Sequence, residues 1–488
     1  MSSLRALHRS SLALLTDLYE LTMSYGYFKS GMQDTEAVFH LFFRKLPFDG
    51  GYAIACGLDD ALELLEGYRF DDADLSYVAT LRGQDGEPLF DDAFLRWLGE
   101  MKLTISVDAI PEGSLAFAHE PLLRVQGPIA QCQLVESALL NLVNFETLVA
   151  TKAARMCSAA GGEPVMEFGL RRAQGIDGAI SACRAAYVGG CVGTSNVLAG
   201  RLLGIPVMGT HAHSWVMCFD TELEAFEAYA RALPNNCIFL VDTYDSLQGV
   251  RNAIHVGRTL SERGHRLLGI RLDSGDLAWL SIEARKLLDE AGFHDTFIVG
   301  SNDLDEHLIE SLKRQGAQLK VWGVGTRLVT AFDEPALGGV YKITALRRPG
   351  GEWEDRIKLS ERAVKTSVPG ILQVRRFHGP DGSLIADAIH DVRHGVPDGC
   401  TIVDPNDPTH RKSISSGTAW EDLLVPAFRD GRRVLPEAPL AELRARTLRE
   451  LGRLHPGSRR FANPHEYPVG LERGLHDRRM DLIMKWKS

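Results

Sequence analysis

The chain has 488 residues, of which 45% are hydrophobic and 24% charged, so it is long enough for two or three structural units with sizeable cores. Its formal net charge of -10 argues against a nucleic-acid partner, because the overall field repels a polyanion. Residues 1–22 read poorly as a signal peptide, and no apolar run approaches the roughly 20 residues of a membrane span. The eight cysteines are scattered without a C-x-x-C pair, which is typical of a reducing compartment. We therefore expect a cytoplasmic protein without a membrane partner.

Residues 1–140 predict an N-terminal α/β domain. Four short segments in this range look like strands of a separate sheet. These segments are 38–47, 51–58, 103–113 and 121–128.

Residues 141–345 repeat one arrangement, in which a short apolar run ends in Gly and polar residues and a helix-like segment follows. The runs are 164–173, 205–214, 237–246, 267–276, 297–306 and 320–329. Most start roughly 25–40 residues apart, the length of a βα unit, and a further strand is expected near residue 190. The pattern predicts parallel strands in a closed or nearly closed α/β barrel, with an open doubly wound sheet as the alternative. In either case the functional residues should follow the carboxyl ends of the strands.

Residues 346–488 are rich in Pro, Gly and Arg and include a strand-like segment at 365–377. We expect this part to pack back on the N-terminal domain. The second domain would then be built from both chain ends.

His211 and His213 follow one of the predicted strands, and the pair has three interpretations. Each could be a hydrogen-bonded histidine at the barrel rim. An H-x-H pair is also typical of metal-dependent hydrolases, but that site needs further histidines at later strand ends, and none is found there. The third interpretation is an imidazole nucleophile that accepts a phosphoryl group.

Arg271 and Asp273 point to the same face of their strand, since side chains two residues apart do so. They could form an internal ion pair. Alternatively, Arg271 could bind a carboxylate, while Asp273 and Asp276 could bind sugar hydroxyls or hydrated Mg²⁺. Gly275 between them would allow a ligand to approach the backbone closely.

The segment Gly323–Thr326 follows the last clear strand, and its backbone N–H groups could form an anion site for a phosphate. Two glycines after a strand could equally mark a tight turn. No Walker A sequence is present, so any ATP is bound in another way. Arg171 and Arg172 follow the first barrel strand, and at most one of them should enter the site. Together these strand ends suit a polyanionic sugar phosphate that arrives with Mg²⁺.

Six motifs in the chain together resemble the nicotinate phosphoribosyltransferases, in the order that the family has them. They are Thr16–Met23, Glu167–Arg172, Gly209–Ser214, Arg271–Asp276, Gly323–Thr326 and Asn463–Tyr467. The resemblance implies an irregular (β/α) barrel of the nicotinate/quinolinate phosphoribosyltransferase type, with a second α/β domain formed from both chain ends. It also implies a homodimer with sites at the subunit interface. The reaction would join nicotinate to 5-phosphoribosyl-1-diphosphate (PRPP) with hydrolysis of ATP, in the Preiss-Handler salvage route to NAD.

The resemblance also implies a role for individual residues. His213 would be the histidine that ATP phosphorylates, whereas His211 would be structural. Mg²⁺ would arrive with PRPP, with Asp273 and Asp276 as candidate ligands. The residues implied to bind nicotinate are Tyr19 (from the partner subunit), Phe168, Arg171, Ser195, Thr210 and Arg271. The residues implied to bind PRPP and its phosphates are Asp273, Gly275, Asp276, Ser301, Asn302, Gly323, Gly325 and Thr326.

Ser195 distinguishes the acid substrate from the amide. The related nicotinamide enzymes have an Asp at this position, which would repel the carboxylate of nicotinate, whereas a hydroxyl can donate to it. A zinc-dependent hydrolase and a non-catalytic paralogue that only binds nicotinate are the competing functions.

Overall fold

A computed structural model describes residues 11–360 and 366–487. These residues form two compact units. Unit 1 contains the described residues before Lys152 and after Pro335, and unit 2 is Lys152–Pro335. None of the helices in the described ranges has the length and apolar character that a membrane span requires.

The helices and strands are numbered in chain order. The helices are α1 Leu18–Lys29, α2 Leu58–Glu66, α3 Asp72–Val78, α4 Asp92–Glu100, α5 Ile129–Leu134, α6 Glu136–Ala160, α7 Ile176–Val188, α8 Val197–Leu203, α9 His213–Val216, α10 Glu222–Ala232, α11 Ser246–Glu262, α12 Leu277–Glu290, α13 Glu306–Arg314, α14 Thr326–Val329, α15 Leu440–Arg453 and α16 Arg473–Lys487. The strands are β1 Glu36–Phe43, β2 Ala53–Ile54, β3 Ser106–Ala109, β4 Leu115–Ala116, β5 Leu123–Pro128, β6 Val165–Glu167, β7 Gly193–Thr194, β8 Cys237–Leu240, β9 Leu267–Leu272, β10 Phe297–Gly300, β11 Val321–Val324, β12 Gly339–Arg347, β13 Glu354–Asp355, β14 Leu372–His378, β15 Leu384–Asp391, β16 Thr401–Val403, β17 Arg411–Ser413, β18 Ala419–Asp422, β19 Val425–Arg429, β20 Arg432–Arg433 and β21 Val469–Glu472.

Unit 2 contains one six-stranded sheet in the order β7-β6-β11-β10-β9-β8, and every neighbouring pair in it is parallel. Helices α11, α12 and α13 each follow a strand of this sheet and begin after an aspartate. The side chains of Asp245, Asp276 and Asp305 accept the backbone N–H of the third residue of each helix, which stabilises the helix start. The polar residues at these strand ends therefore also cap the helices that follow. The parallel pairing of all six strands confirms the predicted parallel sheet.

The segment 205–214 was predicted as a strand, and that prediction is wrong beyond a single bridge. Thr194 of β7 donates its N–H to the carbonyl of Pro206 and accepts from the N–H of Met208, and only the bridge between Thr194 and Val207 results. Pro206 has no N–H for a ladder. Further along, the backbone N–H of Leu240 in β8 donates to Nε2 of His211. The segment thus contacts both edge strands of the sheet, which leaves the sheet as a curled half-barrel.

Unit 1 combines strands from both chain ends. Its seven-stranded antiparallel sheet has the order β13-β12-β1-β5-β3-β19-β20, and a six-stranded sheet of C-terminal strands has the order β17-β16-β21-β15-β14-β18. In the core of the second sheet Arg376 forms a buried ion pair with Asp387, whose carboxylate also accepts from the hydroxyl of Tyr467. The expected second domain from both chain ends is confirmed.

Candidate active site

The candidate site lies at the carboxyl edge of the unit 2 sheet. Because all six strands are parallel, the residues that follow them lie along one edge. The residues at or just after the strand ends are Phe168 after β6, Ser195 after β7, Asp242 after β8, Asp273 after β9, Ser301 after β10 and Gly325 after β11. The edge therefore carries aromatic, hydroxyl or acidic side chains after five of the strands and a glycine after β11.

Arg271 in β9 connects three of these segments. Its Nε donates to the hydroxyl of Ser301 at 2.8 Å, its Nη1 to the hydroxyl of Thr210 at 3.2 Å, and its Nη2 to Asp273 at 2.7 Å. The guanidinium carbon also lies 5.8 Å from the ring centroid of Phe168. Three of the five N–H donors are used in this way, and the guanidinium is held rigidly at the sheet edge.

Asp273 is the acidic partner of Arg271. Burial alone would raise the pKa of its carboxyl, but the charge of Arg271 and the hydrogen bonds from Ser301 and Arg271 outweigh burial, so its pKa lies below the ordinary value. Oδ1 accepts both of those hydrogen bonds. Asp273 is therefore a carboxylate at neutral pH, with Oδ2 directed toward His213.

His213 begins the short helix α9, and its side chain is partly exposed. Nδ1 is 3.1 Å from the hydroxyl of Thr243. Nε2 lies 3.9 Å from Oδ1 of Asp242 and 3.9 Å from Oδ2 of Asp273. One nitrogen of the ring is thus held by a hydroxyl, and the other faces two carboxylates.

His211 lies two residues before His213, and its side chain is buried inside unit 2. It is buried among the rings of Phe226, Tyr229 and Phe239, and burial is the main cause that lowers its pKa to about 4. Since Nε2 accepts from a backbone N–H, the ring is neutral and carries its proton on Nδ1, which faces the carbonyl of Ala212. In residues 11–360 and 366–487 one cluster of three His, Cys or acidic side chains is compact enough to hold a metal ion, and it includes neither His211 nor His213. The geometry therefore does not support the metal-dependent hydrolase.

Of the remaining predicted nicotinate residues of unit 2, Phe168 and Thr210 contact Arg271, whereas Arg171 and Ser195 follow β6 and β7. Phe168 is half-buried, and its N–H donates to the carbonyl of Val324. Arg171 is exposed on the turn Leu170–Arg172. Ser195 is half-buried directly after β7. Thr210 joins the cluster through its bond with Arg271.

The predicted phosphate residues lie at the ends of β9, β10 and β11. A Cβ on Gly323 would lie 2.8 Å from the ring of Phe168 and 3.3 Å from Cβ of Ser301, so only glycine fits there. Gly325 lies next to the backbone of Phe168, and Thr326 begins α14. Asn302 has the left-handed φ of 97°, a strained conformation of a kind that clusters at functional sites.

Gly275 and Asp276 lie in the turn after β9. Gly275 has a φ of 78°, which favours glycine. Both residues are exposed, and the Oδ1 atom of Asp276 accepts the N–H of Trp279 as the cap of α12.

Tyr19 is located in unit 1, on α1, with 45% of its surface exposed. Burial of the hydroxyl, followed by the charges of Glu136 and Glu20, raises the pKa of Tyr19 to about 12. The phenol is therefore neutral at physiological pH, and the residue is accessible from solvent.

Comparisons with known proteins cover nearly the whole chain. The model for the nicotinate phosphoribosyltransferase (NAPRTase) N-terminal domain matches residues 14–144, the NAPRTase family model residues 164–353, and the C-terminal domain model residues 372–479. A nicotinate phosphoribosyltransferase from Bacillus subtilis is 42% identical over 98% of this chain and 96% of its own. The chain belongs to the nicotinate phosphoribosyltransferase family.

A solved structure agrees with this membership. The crystal structure of human nicotinic acid phosphoribosyltransferase superposes with a TM-score of 0.84 at 35% identity, over 96% of this chain and 99% of that one. A nicotinate-nucleotide pyrophosphorylase from Pyrococcus furiosus has a TM-score of 0.69 at 21% identity, over 91% and 96% of the two chains. The second likeness shows a shared fold alone.

Two residues of the candidate site received no role from the sequence, although both lie in a strand-end cluster. Asp242 accepts from the N–H of Asp273 at 2.8 Å and from the hydroxyl of Ser274 at 2.6 Å. Thr243 bonds to His213. Their position directly after β8 was the available signal, but their partners are about thirty residues away along the chain.

The late family motif is found in unit 1. Asn463, Pro464, His465 and Tyr467 line a cavity of about 1110 Å³. Basic side chains contribute strongly to its lining, among them Arg44, Lys45, Arg411 and Lys412.

Proposed function

We propose that this chain is a cytoplasmic, homodimeric nicotinate phosphoribosyltransferase that converts nicotinate and PRPP into nicotinate mononucleotide and diphosphate, with hydrolysis of ATP, in NAD biosynthesis. The observation that carries the proposal is the arrangement at the sheet edge, where Arg271, Asp273 and His213 lie together. It supports the proposal because this cluster combines an anchored cation for an acid substrate with a histidine that can accept a phosphoryl group.

Nicotinate would bind beside Arg271. Within the described part of the chain, its bonds to Ser301, Thr210 and Asp273 leave two N–H donors for the carboxylate of nicotinate. Phe168, Thr210 and Ser195 would surround the ring, and Arg171 would add positive charge. Tyr19 of the partner subunit would stack on the pyridine. A hydroxyl at Ser195 donates to the acid, which supports nicotinate over nicotinamide.

PRPP would bind across the ends of β9, β10 and β11. Asp273 and Asp276 would hold ribose hydroxyls or the Mg²⁺ that arrives with PRPP. The phosphates would bind against the backbone and side chains of the surrounding turns: Gly275, Ser301, Asn302, Gly323, Gly325 and Thr326.

The residues present fit Mg²⁺. Oδ1 of Asp242 is buried without a hydrogen-bond partner in the described chain, and it and Oδ2 of Asp273 both face Nε2 of His213. Carboxylate oxygens are the donors that Mg²⁺ prefers. Asp273 and Asp276, together with Asp242, would hold the ion, which would enter with PRPP and neutralise charge on the diphosphate. Without a cation, these carboxylates would repel an incoming polyphosphate.

The transfer reaction follows from charge. The bond from C1 of the ribose to the diphosphate oxygen breaks, and its electron pair leaves with diphosphate. C1 gains positive character, and the lone pair of the pyridine nitrogen forms the new bond. Asp273, a carboxylate beside the ribose, would stabilise the developing positive charge, and the anchored Arg271 would hold the nicotinate ring in line for attack.

ATP would act through His213. Thr243 holds Nδ1, so Nε2 would attack the γ-phosphorus, with ADP as the leaving group. Attack by water on the phosphohistidine would later release phosphate and restore the imidazole. The phosphoryl group would add a temporary anion beside Asp242 and Asp273, and this added charge would couple ATP hydrolysis to turnover.

The test measures nicotinate mononucleotide formed from nicotinate, PRPP and Mg²⁺, with and without ATP, for wild type and His213→Ala. The exposed His294 provides a control variant, His294→Ala. We expect wild type to form the product and ATP to stimulate it. In His213→Ala the stimulation and the acid-labile phosphate on the protein should disappear, whereas His294→Ala should behave as wild type. No product from nicotinate, or an intact ATP effect in His213→Ala, would refute the respective part of the proposal.

A further inference from the structure

The side chain of Glu167 lies behind the proposed nicotinate site and has been given no role. Glu167 is the last residue of β6 and is 1% exposed. It directly precedes Phe168, and its strand pairs with β7, which ends next to Ser195. Its carboxylate is therefore located between two loops of the site.

Three donors contact this carboxylate. The hydroxyl of Thr194 donates to Oε2 at 2.5 Å, the thiol of Cys183 donates to Oε2 at 3.0 Å, and the N–H of Gly169 donates to Oε1. Burial, followed by the charge of Glu167, raises the pKa of the Cys183 thiol, so the thiol remains a donor.

The β7 side of this network fixes Ser195. The hydroxyl of Thr194 accepts the N–H of Asn196 at 2.9 Å, so its own hydrogen is directed to Glu167. The side chain of Asn196 caps α8 by accepting the N–H groups of Leu198 and Ala199. Ser195 itself donates its N–H to the carbonyl of Glu167 at 3.0 Å. Ser195 is thus held from both of its chain neighbours.

The β6 side of the network fixes the turn that carries Phe168 and Arg171. Gly169 donates to the carboxylate, and its carbonyl accepts from the N–H of Arg172 at 2.7 Å. A Cβ on Gly169 would lie 2.3 Å from Cγ1 of Val329, so the turn packs closely against the segment after β11. The bond to Glu167 is one of the contacts that hold this turn.

We propose that Glu167 is a positioning residue for recognition of the pyridine carboxylate, because one buried carboxylate ties together the two loops that carry Ser195 and Phe168–Arg171. The inference rests on the proposed function and adds to it the contacts that set the preference for nicotinate over nicotinamide. Thr194 transmits the constraint to the Ser195 loop, and Gly169 transmits it to the Phe168 loop.

Thr194 offers a matched pair of variants. Thr194→Val keeps the shape and removes the hydroxyl, whereas Thr194→Ser keeps the hydroxyl. Thr344→Val is the control for losing a buried hydroxyl elsewhere, since Thr344 bonds to Val38, Gly370 and His40 in unit 1. Glu167→Gln completes the set. Its amide NH₂ would face at least one of the groups that now donate to the carboxylate, and that hydrogen bond would be lost.

Two measurements decide the proposal. Thr194→Val and Glu167→Gln should raise KM for nicotinate about tenfold or more, change KM for PRPP less than about twofold, and reduce the preference for nicotinate over nicotinamide. Thr194→Ser and Thr344→Val should keep the wild-type KM values. Hydrogen exchange should become faster at residues 168–173 and 195–199 in Thr194→Val but not in Thr194→Ser.

The proposal would be overturned if Thr194→Val had the KM values and the hydrogen exchange of wild type. It would also be overturned if Thr194→Val changed KM for nicotinate and KM for PRPP equally and lost no more stability than Thr344→Val. If the wild-type protein makes no nicotinate mononucleotide, the proposed function fails. The exchange data still decide whether the carboxylate of Glu167 positions the two loops.

Discussion

His213 and Asp242 are linked at the sheet edge: Nε2 of the histidine lies 3.9 Å from Oδ1 of the fully buried carboxylate. The other oxygen of Asp242 accepts from the N–H of Asp273 and the hydroxyl of Ser274. One carboxylate therefore contacts both the imidazole and the turn proposed to bind PRPP. A phosphoryl group on Nε2 would place negative charge beside Asp242. Repulsion between the two charges would then act on the Asp273–Ser274 turn through its hydrogen bonds to Asp242.

This relationship predicts that Asp242→Asn uncouples ATP hydrolysis from product formation. The amide keeps the shape of the side chain but removes the charge that faces a phosphorylated His213. We expect more ADP per nicotinate mononucleotide than in wild type, by about threefold or more, since a hydrogen bond to a charged group contributes roughly 1.5–3 kcal/mol. The ratio of the two products in one reaction measures the effect.

Asp245→Asn is the control, because it changes an acid three residues away that caps α11, and asparagine is an equally good cap. Its product ratio should stay at the wild-type value. An unchanged ratio in Asp242→Asn would show that this carboxylate does not transmit the state of His213.

Arg271→Lys should raise KM for nicotinate by about ten- to a hundredfold. Lysine keeps the positive charge but cannot donate to Ser301, Thr210 and Asp273 and also grip a carboxylate in a fork. Initial rates with varied nicotinate measure the change. Lys286→Arg, an exchange between the same residue types on the exposed surface, is the control. A KM within about twofold of wild type would mean that charge alone binds the substrate.

His211→Phe should destabilise the protein at neutral pH by about 1–3 kcal/mol. Phenylalanine can keep the contacts with the surrounding rings, but it leaves the N–H of Leu240 without an acceptor inside the protein. Urea unfolding curves measure the loss. The exposed control His294→Ala should stay within about 0.5 kcal/mol of wild type.

The size of that loss should depend on pH. The pKa of His211 is about 4 in the folded chain, mainly because of burial, and about 6.5 in the unfolded chain. Below pH 6.5 the unfolded chain takes up a proton that the folded chain does not, so the wild type loses stability as the pH falls toward 4. The difference between wild type and His211→Phe should shrink by about 2 kcal/mol between pH 7.5 and pH 5. A difference that does not change with pH would contradict a buried, neutral His211.

Much of the sheet could be predicted from the sequence because local and global preferences agree in it. The runs that became β8, β9, β10 and β11 are short and apolar, and three of them end near an aspartate that also caps the next helix. The segment 205–214 has the same pattern. Its pairing is nevertheless limited to Thr194, because Pro206 cannot donate and the ring of His211 makes the contact with β8.

The internal bonds of the site could not be predicted in this way. Arg271 and Asp273 were paired correctly by their spacing on one strand. In contrast, the bonds of Asp242 with Ser274, and of Glu167 with Thr194 and Cys183, join residues from different strands or helices. Such bonds depend on which strands become neighbours, and strand order is not encoded in local periodicity.

The proposed dimer can be tested with two variants that each impair the ATP-stimulated reaction. If Tyr19 stacks on nicotinate in the partner's site, Tyr19→Ala and His213→Ala each impair every site of their own homodimer. A mixed dimer would contain one site with both changes and one with neither. After subunits are exchanged at equal concentrations, half of the dimers are mixed, so the ATP-stimulated rate should return to about a quarter of the wild-type rate.

If Tyr19 instead serves the His213 of its own chain, every site in the mixture carries one of the two changes, and no rate is restored. Mixing either variant with itself is the control, and mass photometry of the same samples shows whether dimers are present.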